Sequence, residues 1–145
     1  MFEKILNYIE NYNQENIEQK YQDYLNKEHI YVMTGAGIVQ LLNKCVSMID
    51  KDRCYLEVGT HRGSTLIGAS LDYDVPCYGV DNFVGHNTGI AIAPYKSVEE
   101  GLQAAIENVA GNNVKYFKSS YQDFFKDRKD VDGKKGRNLY VWWRS

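Results

Sequence analysis

No stretch of this chain approaches the run of about 18 apolar residues that a helix needs to cross a bilayer. The opening segment, MFEKILNYIENYNQENIEQKY, is amphipathic and carries acids, so it reads as neither a signal peptide nor an anchor. Cysteine is scarce as well. Cys45, Cys54 and Cys77 are odd in number and lack metal-ligand spacing, which sets aside zinc and a disulfide framework and predicts reduced, half-buried thiols in a cytoplasmic protein. The histidines His29 and His86 show no metal spacing either. Charge of one sign is missing too: a formal net charge of -2 gives no basic footprint for a nucleic-acid backbone. Internal repeats and low-complexity tracts are also lacking. What remains, 43% hydrophobic and 25% charged residues over 145 positions, predicts one globular domain spanning 1–145.

Within that domain the apolar pattern changes period. Phe2, Ile5, Leu6, Ile9 and Tyr12, then Ile17, Tyr21, Tyr24 and Leu25, fall at helical spacing, as two helices broken near Asn13. Residues 38–49 repeat that spacing with Ile38, Leu41, Leu42, Cys45, Val46 and Ile49 on one face. Residues 1–50 are thus expected to form a helical cap, with 51–145 as the core. In the core, strands are predicted at 54–59, 77–81, 114–119 and 139–143, with helices from about Gly63 to Leu71, from Ser97 to Gly111 and around 121–127. Ser97 and Glu100 form a capping box at the start of the second of these. Strands alternating with helices imply right-handed crossovers and a parallel sheet of about four strands. The tract NFVGHNTGIAIAPYK, 82–96, is long enough to be functional. Five early tyrosines, Tyr8, Tyr12, Tyr21, Tyr24 and Tyr31, read as helix-packing residues with a wet hydroxyl.

The chemistry concentrates in YLEVGTHRGST, 55–65. An apolar strand runs into Glu57, then into glycines four apart, Gly59 and Gly63, and then a helix start with Ser64. Glycine lets a backbone approach a ligand, and a following helix offers free N–H groups. The spacing is not that of a dinucleotide fingerprint, because Glu57 stands where G-x-G-x-x-G needs its first glycine. Nor is it a phosphate loop of the Walker type, since no lysine follows Gly63. A second acid, Asp81, closes the next strand, where a carboxylate can accept both hydroxyls of a ribose. His61 and Arg62, inside the glycine turn, are expected to be solvated loop residues.

Glu57-x-Gly59-x-x-x-Gly63-Ser64 followed by Tyr78-Gly79-Val80-Asp81-Asn82-Phe83 resembles the class I S-adenosylmethionine-dependent methyltransferases, in particular their small-molecule O-methyltransferase-like branch, over about residues 30–125. The resemblance implies a Rossmann-like α/β sheet and S-adenosyl-L-methionine as cofactor. It assigns the cofactor site to Glu57, Gly59, Thr60, Gly63, Ser64, Asp81, Asn82, Ser119 and Ser120. Glu57 would orient the methionine part, Gly59 would lie against it, and Asp81 would hold the ribose. Asn82 or Phe83 would flank the adenine, with Ser119 and Ser120 reaching it from the third strand. A small-molecule acceptor is the implied partner, and no catalytic residue is assigned. Two alternatives stand beside this: a non-enzymatic nucleoside-binding or assembly module, and a nucleotide-dependent oxidoreductase with a degenerate glycine loop.

Family members have seven strands where this chain supplies about four, so it reads as C-terminally truncated, with an apolar edge at LYVWW that a homodimer burying Trp142 or Trp143 would cover. Two adjacent tryptophans have only the coding sequence TGGTGG. With suitable degenerate codons, Gly136 to Ser145 read from the second base become Val-Glu-Ile-Tyr-Met-Tyr-Gly-Gly-Asp, close to the family's fourth strand. The C-terminus, starting somewhere between about Asp132 and Gly136, is therefore expected to be the frameshifted end of a longer gene. Sequencing the gene with its downstream flank tests this; a shifted frame without further strands overturns it.

Overall fold

A computed structural model describes residues 1–13, 16–85, 92–127, 130–131, 134–135 and 139–142, and from residue 127 onward the backbone alone. Three helices come first: α1 (Phe2–Glu10), α2 (Gln19–Leu25) and α3 (Ala36–Ser47). Then β1 (Tyr55–Val58), α4 (Ser64–Ala69), β2 (Cys77–Asp81), α5 (Val98–Val109) and β3 (Val114–Lys118) alternate, followed by α6 (Tyr121–Asp127). The backbone continues through β4 (Asp130–Val131), β5 (Lys134–Lys135) and β6 (Leu139–Trp142).

The chain is α/β with a parallel sheet. Its three fully described strands run β3-β2-β1, with Tyr55 opposite Cys77, Val58 opposite Val80 and Asp81 opposite Lys118. On the free side of β1 the backbone of β6 adds parallel pairing, Tyr55 opposite Leu139 and Val58 opposite Trp142. About four strands were expected; three carry described side chains, and the antiparallel β4-β5 pair was not anticipated. Trp143 and His86 lie outside the described residues, as does the side chain of Trp142. Among the described residues no helix is long and apolar enough to cross a membrane.

All four residues of β1 are buried, as a strand covered on both faces requires. Successive side chains alternate. Tyr55 and Cys77 pack with Tyr21, Tyr24, Val39, Val46, Leu66 and Ile67 of the helices on one side. Leu56, Tyr78 and Val80 face the other, closed by Phe117 and by Phe124 of α6. The three thiols are fully rather than half buried, and burial pushes Cys45 up to about 11 and Cys77 to about 12, so both stay protonated.

Helix α3 is rotated from its expected orientation. Its buried positions include Ala36, Val39, Gln40, Asn43 and Val46, whereas Ile38, Leu41 and Leu42 are only half-buried. The polar residues tolerate this because they are hydrogen-bonded. Asn43 accepts from the Tyr21 hydroxyl at 2.7 Å and donates to the Ala69 and Leu71 carbonyls at 3.1 and 2.7 Å. Gln40 accepts from the Glu18 N–H at 2.8 Å and donates to the Asn16 carbonyl at 3.0 Å. In α1, Ile5 is buried while Phe2, Leu6 and Ile9 are 46–57% exposed, so the apolar stripe read from the sequence divides between core and solvent.

Because all strands of the sheet are parallel, their carboxyl ends meet at one edge, and the segments after β1, β2 and β3 are laced together there. The Gly59 N–H donates to the Val80 carbonyl at 2.8 Å, and the Ser119 N–H to the Asp81 carbonyl at 3.0 Å. Gly79 makes the approach possible, since a Cβ there would lie 2.5 Å from Thr60 Oγ1 and 2.9 Å from both Thr60 Cγ2 and Leu66 Cδ2. Gly79→Ala is expected to destabilise the fold by about 1–3 kcal/mol through overpacking of this buried contact. Urea unfolding measures it, and an unchanged midpoint would show that Thr60 and Leu66 move aside freely.

Candidate functional site at the carboxyl edge of the sheet

The turn after β1 is wound in the left-handed region. Gly59 has φ 83°, His61 50° and Gly63 79°. At Gly63 glycine is required twice over, by φ and because a Cβ would come 2.4 Å from Leu102 Cδ1 of α5. His61 has no such freedom, and a non-glycine residue held there costs of order 1–3 kcal/mol. The carboxylate of Asp81 holds it: Oδ2 accepts the His61 N–H at 2.7 Å. Oδ1 accepts the N–H of Phe83, also left-handed at φ 56°, at 2.7 Å. One carboxylate at the end of β2 thus fixes two strained residues on two segments. Phe83 is buried at 6% exposure and packs on Val98, Leu102 and Tyr116.

Glu57 lies beneath the turn, 2% exposed. Its oxygens accept the Tyr55 hydroxyl at 2.9 Å and the Thr65 hydroxyl at 3.0 Å. Burial raises its pKa to about 7 against these two hydrogen bonds, with the nearby Asp81 charge adding to the rise. Where the resemblance implied a contact with the methionine part of a cofactor, the structure shows a tie between β1 and α4.

Of the nine residues assigned from the sequence, the fold brings Gly59, Asp81, Asn82, Ser119 and Ser120 to the accessible edge and buries Glu57, Thr60, Gly63 and Ser64. Asn82 is exposed and its Oδ1 accepts the Val84 N–H at 3.0 Å. Ser119 Oγ donates to the Ser120 carbonyl at 3.0 Å, and Ser120 caps α6 by accepting the Asp123 N–H at 3.1 Å. Ser64 presents its carbonyl to the Tyr24 hydroxyl at 2.6 Å, which fastens α2 to the first residue of α4. Both Tyr21 and Tyr24 are buried at 1% exposure or less, so their hydroxyls are not wet; burial raises both pKa values.

Arg62 corrects the expectation of a solvated loop residue. It is 4% exposed. Its guanidinium carbon sits 4.5 Å from the Tyr31 ring centroid and 5.0 Å from that of Tyr95, and Nη1 donates to the Ala93 carbonyl at 3.1 Å. The Tyr95 hydroxyl in turn hydrogen-bonds His29 Nδ1, and His61 packs on Tyr31 with ring centroids 5.8 Å apart. Sequence reasoning missed His29, Arg62 and Tyr95 because their partners are remote along the chain. The arginine between two glycines was the one available signal.

Compared with known protein families, curated proteins and solved structures, the chain matches none of them significantly.

Because the pKa of Glu57 is raised in the folded chain, protonation favours folding. That stability is fully present below its ordinary value of 4.5 and is lost as pH rises through about 7. The unfolding free energy is expected to fall by up to about 3 kcal/mol between about pH 5 and 8 from this group. Glu57→Gln, neutral throughout, should remove most of that fall. Urea titrations of both proteins across this range check it, and parallel profiles would assign the fall to other groups.

Proposed function

We propose that this chain binds S-adenosyl-L-methionine and is a methyltransferase-like domain of the small-molecule O-methyltransferase type, acting on a small-molecule acceptor as a homodimer. The observation that carries the reading is the carboxylate of Asp81 at the accessible edge of β2, one strand over from the glycine turn. After accepting one N–H each, its oxygens retain lone pairs for two further donors, the number a ribose diol offers. Further support comes from the parallel order β3-β2-β1 with β6 beyond β1, and from Gly59 beside Asp81, held in a left-handed conformation that glycine adopts without strain.

The residues present suit this group in part. Asp81, with Gly59 beside it, would hold the ribose and the adjoining part of the cofactor, and the exposed amide of Asn82 and the hydroxyl of Ser119 would serve the base. The cofactor's sulfonium supplies the methyl group. Displacement at that methyl is in-line, so the chain's contribution is alignment of donor and acceptor. Glu57, buried with both oxygens engaged, acts by bracing the turn from below. The burial of Glu57 favours a second reading, in which the edge serves as a non-enzymatic nucleoside-binding module.

Calorimetry with S-adenosylhomocysteine is expected to show binding, with NAD as the comparison ligand for the oxidoreductase reading. Asp81→Ala should weaken binding by about 1–3 kcal/mol, since two hydroxyls lose their acceptor. Its unfolding midpoint is measured alongside, because Asp81 also holds the turn. No heat with S-adenosylhomocysteine sinks the proposal, and heat with NAD alone favours the oxidoreductase. Transfer from a tritiated methyl donor over an acceptor panel separates the enzyme from the binding module.

A further inference from the structure

Arg62 is the point where four separate parts of the chain converge. It leaves the glycine turn between two left-handed residues, His61 and Gly63. It is pinched between the rings of Tyr31, from the segment joining α2 to α3, and Tyr95, from the turn before α5. Its Nη1 reaches the Ala93 carbonyl of that same turn. Below it, α5 presents Gly101, where a Cβ would lie 2.6 Å from Arg62 Nε, so the helix is notched to let the side chain through. The hydrogen bond between Tyr95 and His29 closes the ring of contacts between the two outer segments. A guanidinium suits the place because it is planar, permanently charged and able to stack on two rings while donating at its edge. None of these contacts is local in sequence, and all of them bear on the turn whose other side is held by Asp81.

We infer that Arg62 is a positioning residue: it locks the segments at 29–31 and 92–97 to the glycine turn, so that the shape of the turn and the closure of these two segments over it form one equilibrium. Resting on the reading of the turn as a cofactor site, the inference adds that ligand affinity is coupled to this lock. A ligand that needs the turn in its wound form draws both segments in. By reciprocity, loosening the lock weakens the ligand to the same extent that the ligand tightens the lock. Arg62 touches no reacting atom in this scheme.

Amide hydrogen exchange on the full chain, free and with S-adenosylhomocysteine, reads the two parts separately. In the free protein, Arg62→Gln is expected to speed exchange about tenfold at 29–31, 60–63 and 95–97 together, as two ring contacts and a hydrogen bond are lost, while the strands exchange as before. Tyr95→Leu, at a half-buried position, removes one ring and the tie to His29 and should loosen the same three segments less. It serves if Arg62→Gln fails to fold. Arg62→Lys, charged but not planar, should restore little. Variants that leave exchange at 29–31 and 95–97 unchanged, or that loosen all strands equally, overturn the lock. In the native chain S-adenosylhomocysteine should slow exchange at the same three segments by about tenfold or more, since a ligand that favours the locked form lowers the open fraction that exchange reads. Unchanged exchange at 29–31 and 95–97 on binding overturns the coupling. If S-adenosylhomocysteine does not bind the native chain, the cofactor reading fails, and exchange in the free protein still decides the lock.

Discussion

The carboxylate of Asp81 is the constraint from which the rest of the site follows. Hydrogen bonds to an ionised acceptor are worth roughly twice neutral ones, and here two are spent on residues in a conformation that non-glycine side chains avoid. The consequences propagate. Holding Phe83 left-handed turns its ring into the contact with Val98 and Leu102, which seats α5. Leu102 then comes so close to the turn that only glycine fits at position 63, and Gly101 leaves the channel through which Arg62 passes. A single acid at the end of β2 thereby sets the backbone of two segments and the seating of a helix.

Polar groups do much of the specifying inside this protein. Glu57, Asn43, Gln40 and the hydroxyls of Tyr21 and Tyr24 are all buried and all hydrogen-bonded. A satisfied buried polar group adds little net stability, while an unsatisfied one costs about 1–3 kcal/mol, so each such pair penalises alternative packings more than it rewards this one. The N-terminal helices are located in this way. Tyr21 finds Asn43, Tyr24 finds the carbonyl of Ser64, and Asn43 reaches the far end of α4. Helices α2 and α3 thus grip both ends of the short helix that follows the glycine turn.

Alternation of strand and helix was legible because it depends on local periodicity. β2 falls at 77–81 and α6 at 121–127 as read, and β1 and β3 lie within a residue of their predicted ends. The Ser97 cap was legible for the same reason, its hydroxyl accepting the Glu100 N–H at 3.1 Å. The buried face of α3 was not. Apolar spacing favoured Ile38, Leu41 and Leu42, and only the presence of Tyr21, Glu18 and Ala69 nearby makes Gln40 and Asn43 acceptable inside. Two of the site's acids show the same division. Asp81 was placed at the edge correctly by its position at a strand end, but its grip on His61 and Phe83 was invisible. Glu57 was marked as unusual, and the hydroxyls that engage it were not foreseen.

By itself, then, the sequence determined the order of helices and strands through α6 and the glycine turn after the first strand, each set by residues within a few positions of one another, and their alternation implied the parallel crossovers. Tertiary structure alone decided that Arg62 is buried between Tyr31 and Tyr95, that Glu57 titrates near neutrality and that α3 turns a polar pair inward. The physical reason is common to all three. The free energy of a buried charge or amide is set by whichever donors, acceptors and rings the fold carries to it, and these come from positions tens of residues away.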